Sequence, residues 1–339
     1  MSEMPAKGEP VLVIGATGFA GGALTRELRR QGRPVRALVR ATADASGLAS
    51  AGVEVTEGDI TSPDDVDRAV AGVSLVFNFA SPFRSAKPTD EYFRAVNVEG
   101  VRHIATAVRR HGVSRFVHCS TIGVHGDVKE IPCRETSPYN PGDIYQETKL
   151  EADRYLQDEV TRGLPAVIMR PTSMYGPGDT RMLKMFRLVQ NGRWRTVGDG
   201  GAWFHPCYVD DLVSAFLLCG EHPGALREVL ILPGLRPLRL RELVHEVAQA
   251  LDVPTPTRSL PLKPMLAAAR ACEILCRPFG IEPPLHERRV RFFTNNRHFD
   301  GSKAREKIGY DPKVPLEEGL RQTAAWYFSQ GLLQPRTAA

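Results

Sequence analysis

The sequence lacks several features that would each have placed it in a familiar class of protein. Its most apolar late stretch, residues 262–281, is interrupted by charged side chains at 263, 270, 273 and 277, so we expect no membrane span. The first ten residues are polar and contain no hydrophobic core of a signal peptide. Only nine of the 44 basic residues are lysines, and the net charge of +5 is spread along the chain. Such dilute charge is compatible with an anionic small molecule and excludes nucleic acid as the expected partner.

Cysteine and histidine also fail to form the patterns that indicate metal or disulfide chemistry. None of the six cysteines is paired at Cys-x-x-Cys spacing, and the nine histidines show no ligand spacing with acids or cysteines. We therefore expect reduced thiols, no metal and a cytoplasmic location. The apolar fraction of 42% and the charged fraction of 24% are ordinary for a globular protein of about two domains.

The first 170 residues alternate between short Val-rich runs and longer amphipathic segments. The runs predict strands at 11–14, 35–39, 53–55, 75–79, 116–118 and 166–169, and the longer segments predict helices at 20–30, 64–71, 91–111 and 145–161. Strands that alternate with helices indicate a parallel sheet covered on both faces. The predicted fold is therefore a doubly wound α/β sheet of the Rossmann type.

The regular alternation of predicted strands and helices ends after residue 170, where proline and glycine become frequent. We predict helices at 181–191, 209–219, 301–308 and 316–330 and a strand at 229–232. The interpretation is a dinucleotide-binding domain over residues 1–170 that also receives about 203–232, and a smaller substrate domain formed by 171–202 and 233–339. The apolar helix within 262–281 fits a core or dimer contact, with a substrate lid as the alternative.

A glycine-rich turn directly follows the first predicted strand. Gly15 permits a tight turn, Gly18 lets the backbone approach a pyrophosphate, and Gly21 lets the next helix pack closely on the strand. The free N–H groups at that helix start attract phosphate. The turn opens a strand–helix–strand unit, which predicts dinucleotide binding.

Two residues bear on which dinucleotide binds. The second strand ends at Arg40, where an NAD-selective fold usually has an acidic residue, and arginine suits the 2′-phosphate of NADP. We expect NADP to be preferred, with NAD as the alternative. Asp59 follows the third strand, where it would accept a hydrogen bond from the adenine amino group or make a local turn.

A phenol and an ammonium group stand four residues apart in a predicted helix. At this spacing Tyr145 and Lys149 share one helix face. A nearby cation stabilises phenolate, so the tyrosine can exchange a proton with a carbonyl or alcohol oxygen. Ser120 and Thr121 follow the fifth strand, where a hydroxyl can polarise the same oxygen.

Together these motifs resemble the extended short-chain dehydrogenase/reductase family over nearly the whole chain. The matching pieces are Gly15-x-x-Gly18-x-x-Gly21, Asp59, Asn78-Phe-Ala80, Asn97-Val98-x-Gly100, Ser120-Thr121, Tyr145-x-x-x-Lys149, Arg170-Pro-Thr, Tyr175-Gly-Pro-Gly178 and Tyr208-Val-Asp-Asp211.

The resemblance implies a set of site residues. Tyr145 would be the general acid/base, Lys149 would also hold the nicotinamide ribose, and Thr121 would be the catalytic hydroxyl, with Ser120 as the alternative and Asn97 nearby. Cofactor contacts are expected at Gly15, Thr17, Gly18, Phe19, Ala20, Arg40, Asp59, Ile60, Phe79, Ala80, Ser81, Tyr145, Lys149, Pro171 and Thr172, and substrate contacts at Thr121, Tyr145, Ser173 and Tyr175.

The C-terminal part is similar to the 3β-hydroxysteroid dehydrogenase branch, which includes sterol and dihydroflavonol reductases. The segments that carry this likeness are residues 282–300 and 303–312. The implied function is NADP(H)-dependent interconversion of a secondary alcohol and a ketone on a hydrophobic small molecule, by a homodimer that pairs through residues 91–111 and 145–161. The alternatives are a sugar-nucleotide epimerase with tightly bound NAD and a non-catalytic NADP-sensing regulator.

Overall fold

The computed structural model describes residues 8–82, 89–279 and 283–334, and its centre is a seven-stranded parallel sheet. The strands are β1 (Val11–Ile14), β2 (Val35–Val39), β3 (Glu54–Glu57), β4 (Leu75–Asn78), β5 (Arg115–Cys119), β6 (Ala166–Pro171), β7 (Ser173–Tyr175), β8 (Thr196–Val197), β9 (Trp203–Phe204), β10 (Pro206–Tyr208), β11 (Val229–Leu232), β12 (Leu238–Arg239) and β13 (Ser259–Leu260).

The helices are α1 (Phe19–Arg30), α2 (Ser46–Ser50), α3 (Pro63–Val70), α4 (Asp90–Arg94), α5 (Gly100–Arg110), α6 (Ile144–Thr161), α7 (Leu183–Gln190), α8 (Val209–Glu221), α9 (Leu240–Ala250), α10 (Leu262–Cys276), α11 (Glu287–Arg291), α12 (Ser302–Ile308) and α13 (Leu316–Ser329). A π-helical segment, Ala95–Glu99, joins α4 to α5.

The strand order of the main sheet is β11-β6-β5-β4-β1-β2-β3, and every neighbouring pair runs parallel. The chain builds outward from β1 to β3 and then crosses to β4 on the other side of β1. This reversal opens a crevice at the carboxyl ends of β1 and β4, which is where doubly wound sheets bind ligands.

Each face of the sheet is covered by its own helices because the strands are apolar on both sides. One core packs Leu24 of α1 and Phe216 of α8 against β1, β4 and β5. The other packs Val66 of α3, Ile104 of α5 and Leu156 of α6 against the opposite face. The predicted doubly wound parallel sheet is confirmed.

Two features depart from the predicted elements, whereas a third, strand β11, lies where the sequence predicted a strand. The helix expected over 91–111 is instead α4, the π-helical segment and α5 in succession. Helices α2, α9 and α11 were not predicted, and neither were the two- and three-residue strands. Strands this short depend on distant pairing partners rather than on local periodicity. Strand β11 lies at the sheet edge beside β6, so the chain returns to the main sheet there.

Helix α10 has a covered face and an exposed face. Ala269 is fully buried and Met265 packs beside it, whereas Ile274 and Leu275 are 71% and 68% exposed. Phe279 lies beyond the end of α10 at Cys276 and is 76% exposed. Within the described ranges, no helix has the length and apolar character needed to cross a bilayer.

Candidate active site

The glycine turn lies at the crevice between β1 and β4. Gly15 has φ +88°, and a Cβ there would lie 3.0 Å from the backbone of both Phe79 and Ala80. A Cβ on Gly21 would lie 2.3 Å from the carbonyl oxygen of Gly15. Both positions therefore require glycine, since a side chain at Gly15 would collide with the backbone after β4 and one at Gly21 would push α1 away from the turn.

The start of α1 presents backbone N–H groups toward this crevice. Gly18 occupies the N-cap position, and none of the described side chains caps the helix. Thr17 and Gly18 are exposed, Phe19 is half-buried and Ala20 is buried. Uncapped N–H groups with the positive end of the helix dipole form a ready anion site.

Arg40 follows β2 at the other end of the crevice. Its side chain is exposed, and Nη1 donates to the hydroxyl oxygen of Tyr92 at 2.9 Å. The nearby Arg36 points elsewhere, since it donates to Glu54 at 2.8 Å and to the carbonyls of residues 69 and 71. Of these two arginines, Arg40 is thus the one that is available to a ligand phosphate.

Asp59 and Ile60, predicted to contact the adenine end, have local structural contacts. Asp59 Oδ1 accepts from both the backbone N–H and the hydroxyl of Thr61, at 2.9 and 2.8 Å. Ile60 is buried against Gly100, where a Cβ would lie 2.7 Å from it. Asp59 therefore makes the turn that the sequence left as its alternative.

Lys149 is buried at the carboxyl end of β5. Its side chain is 2% exposed, and Nζ donates to the carbonyl oxygen of Cys119 at 2.8 Å. Burial lowers the pKa of this ammonium group, while Cys119 and Asp153 oppose the shift. The cation is therefore held in place one helical turn after Tyr145, which is half-buried near the start of α6.

The two adjacent hydroxyls at the end of β5 point in different directions. Ser120 is buried, and its Oγ donates to Oδ2 of Asp153 at 2.6 Å. Thr121 is half-buried, and its Oγ1 accepts from the backbone N–H of Gly123 at 3.0 Å. Because Thr121 Oγ1 only accepts in this contact, its hydroxyl proton is left for a ligand oxygen. The Ser120 hydroxyl proton is already donated to the buried Asp153 carboxylate.

Asn97 sits in the π-helical segment and is 1% exposed. Its Nδ2 donates to the hydroxyl of Thr148, the residue before Lys149, at 2.9 Å. Its Oδ1 is buried without a hydrogen-bond partner among the described residues. The π-bulge turns this side chain toward α6, as such bulges often do at functional sites.

The end of β6 supplies the opposite wall. Pro171 is buried, and the backbone N–H of Thr172 donates to the carbonyl of Leu232 at 3.1 Å. Ser173 is half-buried. Tyr175, predicted to contact substrate, is instead 2% exposed, and a Cβ on Gly319 would lie 2.4 Å from its hydroxyl. That expectation does not fit the structure, because the ring is packed into the core against α13.

Sequence reasoning missed a buried polar network behind this site. Arg170 and Asp153 are both 0% exposed and form a two-pronged ion pair with both distances 2.9 Å. Arg170 also donates to Tyr139 at 2.9 Å and lies 3.1 Å from Nε2 of His125. The position of Asp153, four residues after Lys149 on the same helix, was the available signal.

The model of the NAD dependent epimerase/dehydratase family matches residues 11–231, the stretch that contains the glycine turn and the Tyr145–Lys149 pair. The chain belongs to this family.

Two curated relatives are similar along almost their whole length. The chain is 31% identical to 2-alkyl-3-oxoalkanoate reductase of Stenotrophomonas maltophilia, covering 93% of this chain and 98% of the relative. It is also 31% identical to 3-beta-hydroxysteroid dehydrogenase of Mycolicibacterium neoaurum, covering 94% and 91%. The crystal structure of gox2253 superposes with a TM-score of 0.81 at 29% identity, covering 96% of this chain and 100% of that chain.

This member of the epimerase/dehydratase family is an oxidoreductase of the dehydrogenase/reductase type that acts on CH–OH groups, and the family is NAD-dependent. The crevice fits a dinucleotide: glycines keep it free of side chains, and the buried hydroxyls of Ser81 and Thr172 have no partner among the described residues. Unpaired buried hydroxyls are costly, so they suit polar ligand atoms. The described residues contain no cluster of three or more metal-ligating side chains.

Proposed function

We propose that the chain interconverts a secondary alcohol and a ketone on a hydrophobic small molecule, with NADP(H) preferred over NAD(H). The observation that carries this proposal is the arrangement at the end of β5. A buried ammonium, Lys149, is fixed by the Cys119 carbonyl beside Thr121 and one turn from Tyr145. A phenol, a cation and a hydroxyl at one strand end suit proton exchange with a carbonyl oxygen.

In the proposed mechanism, each residue has one role. Thr121 donates a hydrogen bond that orients the substrate oxygen. Tyr145 gives that oxygen a proton during reduction and removes it during oxidation, and the Lys149 cation stabilises the phenolate that forms. A nicotinamide held in the crevice would supply the hydride to the substrate carbon in reduction and would accept it in oxidation. Ser120 holds Asp153 instead of touching substrate, which favours Thr121 as the catalytic hydroxyl.

The cofactor would lie along the crevice. Gly15, Gly18 and the start of α1 would hold the diphosphate, and the hydroxyls of Ser81 and Thr172 would meet polar atoms nearer the nicotinamide. Arg40 would bind the 2′-phosphate, because its guanidinium is exposed beside the end of β2. Its place there supports the NADP preference.

The substrate class follows from the relatives. One is named for a 2-alkyl-3-oxoalkanoate and another for a 3β-hydroxysteroid. Both compounds carry a keto or hydroxyl group on a largely apolar skeleton. We infer a steroid-like, flavonol-like or 3-hydroxy/3-keto acid substrate. A homodimer that pairs through α4, α5 and α6 remains a prediction, which sedimentation velocity would test.

The test measures absorbance of the reduced nicotinamide with NADP(H) or NAD(H), a panel of apolar secondary alcohols and ketones, and UDP-sugars beside them. We expect net cofactor turnover with an apolar member of the panel, faster with the phosphorylated dinucleotide. Inversion of a UDP-sugar without net cofactor consumption would replace this proposal with an epimerase. Binding of NADPH without turnover of any panel member, in a protein with intact Tyr145, would favour a sensor.

A further inference from the structure

The loop between β7 and α7 brings a second arginine, Arg181, to the phosphate end of the crevice. We propose that Arg181 binds the diphosphate bridge of the dinucleotide, a bridge that NAD and NADP share. The inference rests on the proposed function, since it presumes a dinucleotide in the crevice.

Arg181 lies against the first residue of α1. Its guanidinium carbon is 5.3 Å from the centroid of the Phe19 ring. Gly178 of the same loop, with φ +98°, approaches so closely that a Cβ would lie 3.3 Å from that ring. The loop therefore runs beside the uncapped start of α1, where the backbone N–H groups point into the crevice.

Hydrogen bonds to Asp179 and to the Met174 carbonyl fix the position of Arg181. Nε donates to Oδ1 of Asp179 at 2.6 Å, and Nη2 donates to the Met174 carbonyl at 2.9 Å. Asp179 is itself 1% exposed, and its carbonyl accepts from the Tyr327 hydroxyl at 2.7 Å. An arginine held this way loses little conformational freedom when it binds an anion.

Donor capacity remains on the side that faces solvent. The Arg181 side chain is 50% exposed, and Nη1 makes no hydrogen bond to any described residue. Its two N–H groups suit phosphate oxygens, which guanidinium binds strongly. The charge of Arg181 also extends to Cys119 at the end of β5, where it opposes the burial that raises the pKa of this thiol to about 11. The guanidinium therefore lies beside the start of α1, and half of its side chain is exposed to solvent.

The negative charge of Asp179 must be neutralised if a diphosphate is to bind beside it. Its buried carboxylate would repel a diphosphate at the start of α1, and Oδ2 has no partner among the described residues. Arg181 neutralises that charge while it presents its outer N–H groups. The two arginines therefore divide the cofactor: Arg40 distinguishes NADP from NAD, and Arg181 binds both equally.

The experiment measures dissociation constants for ADP-ribose, NADH and NADPH by calorimetry. The variant is Arg181→Gln, and the control is Arg187→Gln, an exposed arginine on α7 that also donates to a backbone carbonyl, that of Leu332. We expect Arg181→Gln to weaken all three ligands by the same factor, roughly 10-fold. Adenosine 2′-monophosphate, which lacks the diphosphate, should bind unchanged, and the control should match the parent protein.

A double variant removes the concern that a lone buried Asp179 unfolds the loop. Asp179→Asn with Arg181→Gln carries no unpaired charge. We expect it to weaken the three ligands equally but by a smaller factor than Arg181→Gln, because the repulsion from the Asp179 carboxylate is removed together with the arginine. Unchanged affinity for ADP-ribose in both variants would overturn the inference, as would a loss confined to NADPH. Failure of the parent protein to bind any of the three ligands would overturn the proposed function as well.

Discussion

The sheet region, residues 8–171 with 209–232, differs sharply from the C-terminal region, residues 238–300. In the sheet region, strands β1, β4, β5 and β6 are buried along their whole length, and the proposed chemistry stands at their carboxyl ends. In the C-terminal region the strands have two residues each, and α10 leaves Ile274 and Leu275 exposed. Buried strands thus hold the proposed reacting groups, whereas α10 in the C-terminal region presents apolar side chains to solvent.

The largest expected effect comes from removing the proposed proton donor, Tyr145, in the sheet region. Tyr145→Phe should lower turnover by roughly 10²- to 10⁴-fold, because general acid/base catalysis is lost. NADPH affinity should stay nearly unchanged, since the phenol contributes little to holding the dinucleotide. Tyr155→Phe, a tyrosine on the same helix, is the control. Steady-state rates and calorimetric titration together decide the point, and retained turnover in Tyr145→Phe would remove this residue from the mechanism.

A matched pair of substitutions compares the packing of the two regions. Leu230→Ala in β11 should lower the free energy of unfolding by about 2–5 kcal/mol, because the side chain is 0% exposed and leaves a cavity. Leu275→Ala should change it by less than about 0.5 kcal/mol, because that side chain is 68% exposed. Urea unfolding followed by circular dichroism measures both. Similar losses in the two variants would mean that α10 is covered in solution by another surface.

A smaller effect is expected at the adenine end of the crevice. Arg40→Asp should reduce the preference for NADPH over NADH by roughly 10- to 100-fold, because a charge-assisted contact with the 2′-phosphate is replaced by repulsion. The ratio of kcat/KM for the two cofactors measures it. Arg36→Asp is the comparison, since Arg36 is engaged with Glu54 and should leave the ratio unchanged. An unaltered ratio in Arg40→Asp would separate this residue from cofactor choice.

The smallest expected effect is a pH dependence of the free energy of unfolding, which arises from His125 in the buried polar network. Burial and the Arg170 charge lower the pKa of His125 to about 4, and its contacts fit a neutral ring that accepts from Arg170 and donates to the Pro138 carbonyl. Below about pH 6.5 the unfolded chain binds the proton and the folded protein does not. The free energy of unfolding should therefore fall between about pH 6.5 and 4, by at most roughly 3 kcal/mol from this group, and then level off.

His125→Gln separates this contribution from other titrating groups. Its amide oxygen can still accept from Arg170, so stability should depend less on pH across that interval. His245→Gln, at an exposed site beside Thr255, should retain the dependence of the parent protein. Identical slopes for all three proteins in denaturant titrations at several pH values would show that His125 does not titrate on unfolding.

The same contrast between regions explains what the sequence could predict. The sheet strands and the helices around them follow local periodicity, and the glycine turn and the Tyr145–Lys149 pair lie within single elements. The direction of Ser120 depends on Asp153 and that of Tyr175 on Gly319, which are distant in the chain. Arg181 becomes conspicuous only when the fold brings it to Phe19. Local patterns therefore predicted elements and reaction type, whereas side-chain directions required tertiary contacts.

In the proposed reaction, the chain transfers a hydride between NADP(H) and an apolar substrate, with Tyr145 as the proton donor. The most direct measurement supplies NADPH deuterated at the transferred position of C4 together with an apolar ketone, and follows the label by mass spectrometry. We expect one deuterium at the carbinol carbon of the product, and labelled product should form roughly 10²- to 10⁴-fold more slowly with Tyr145→Phe. A product without deuterium, or labelling by the Tyr145→Phe variant at the rate of the parent protein, would contradict this account.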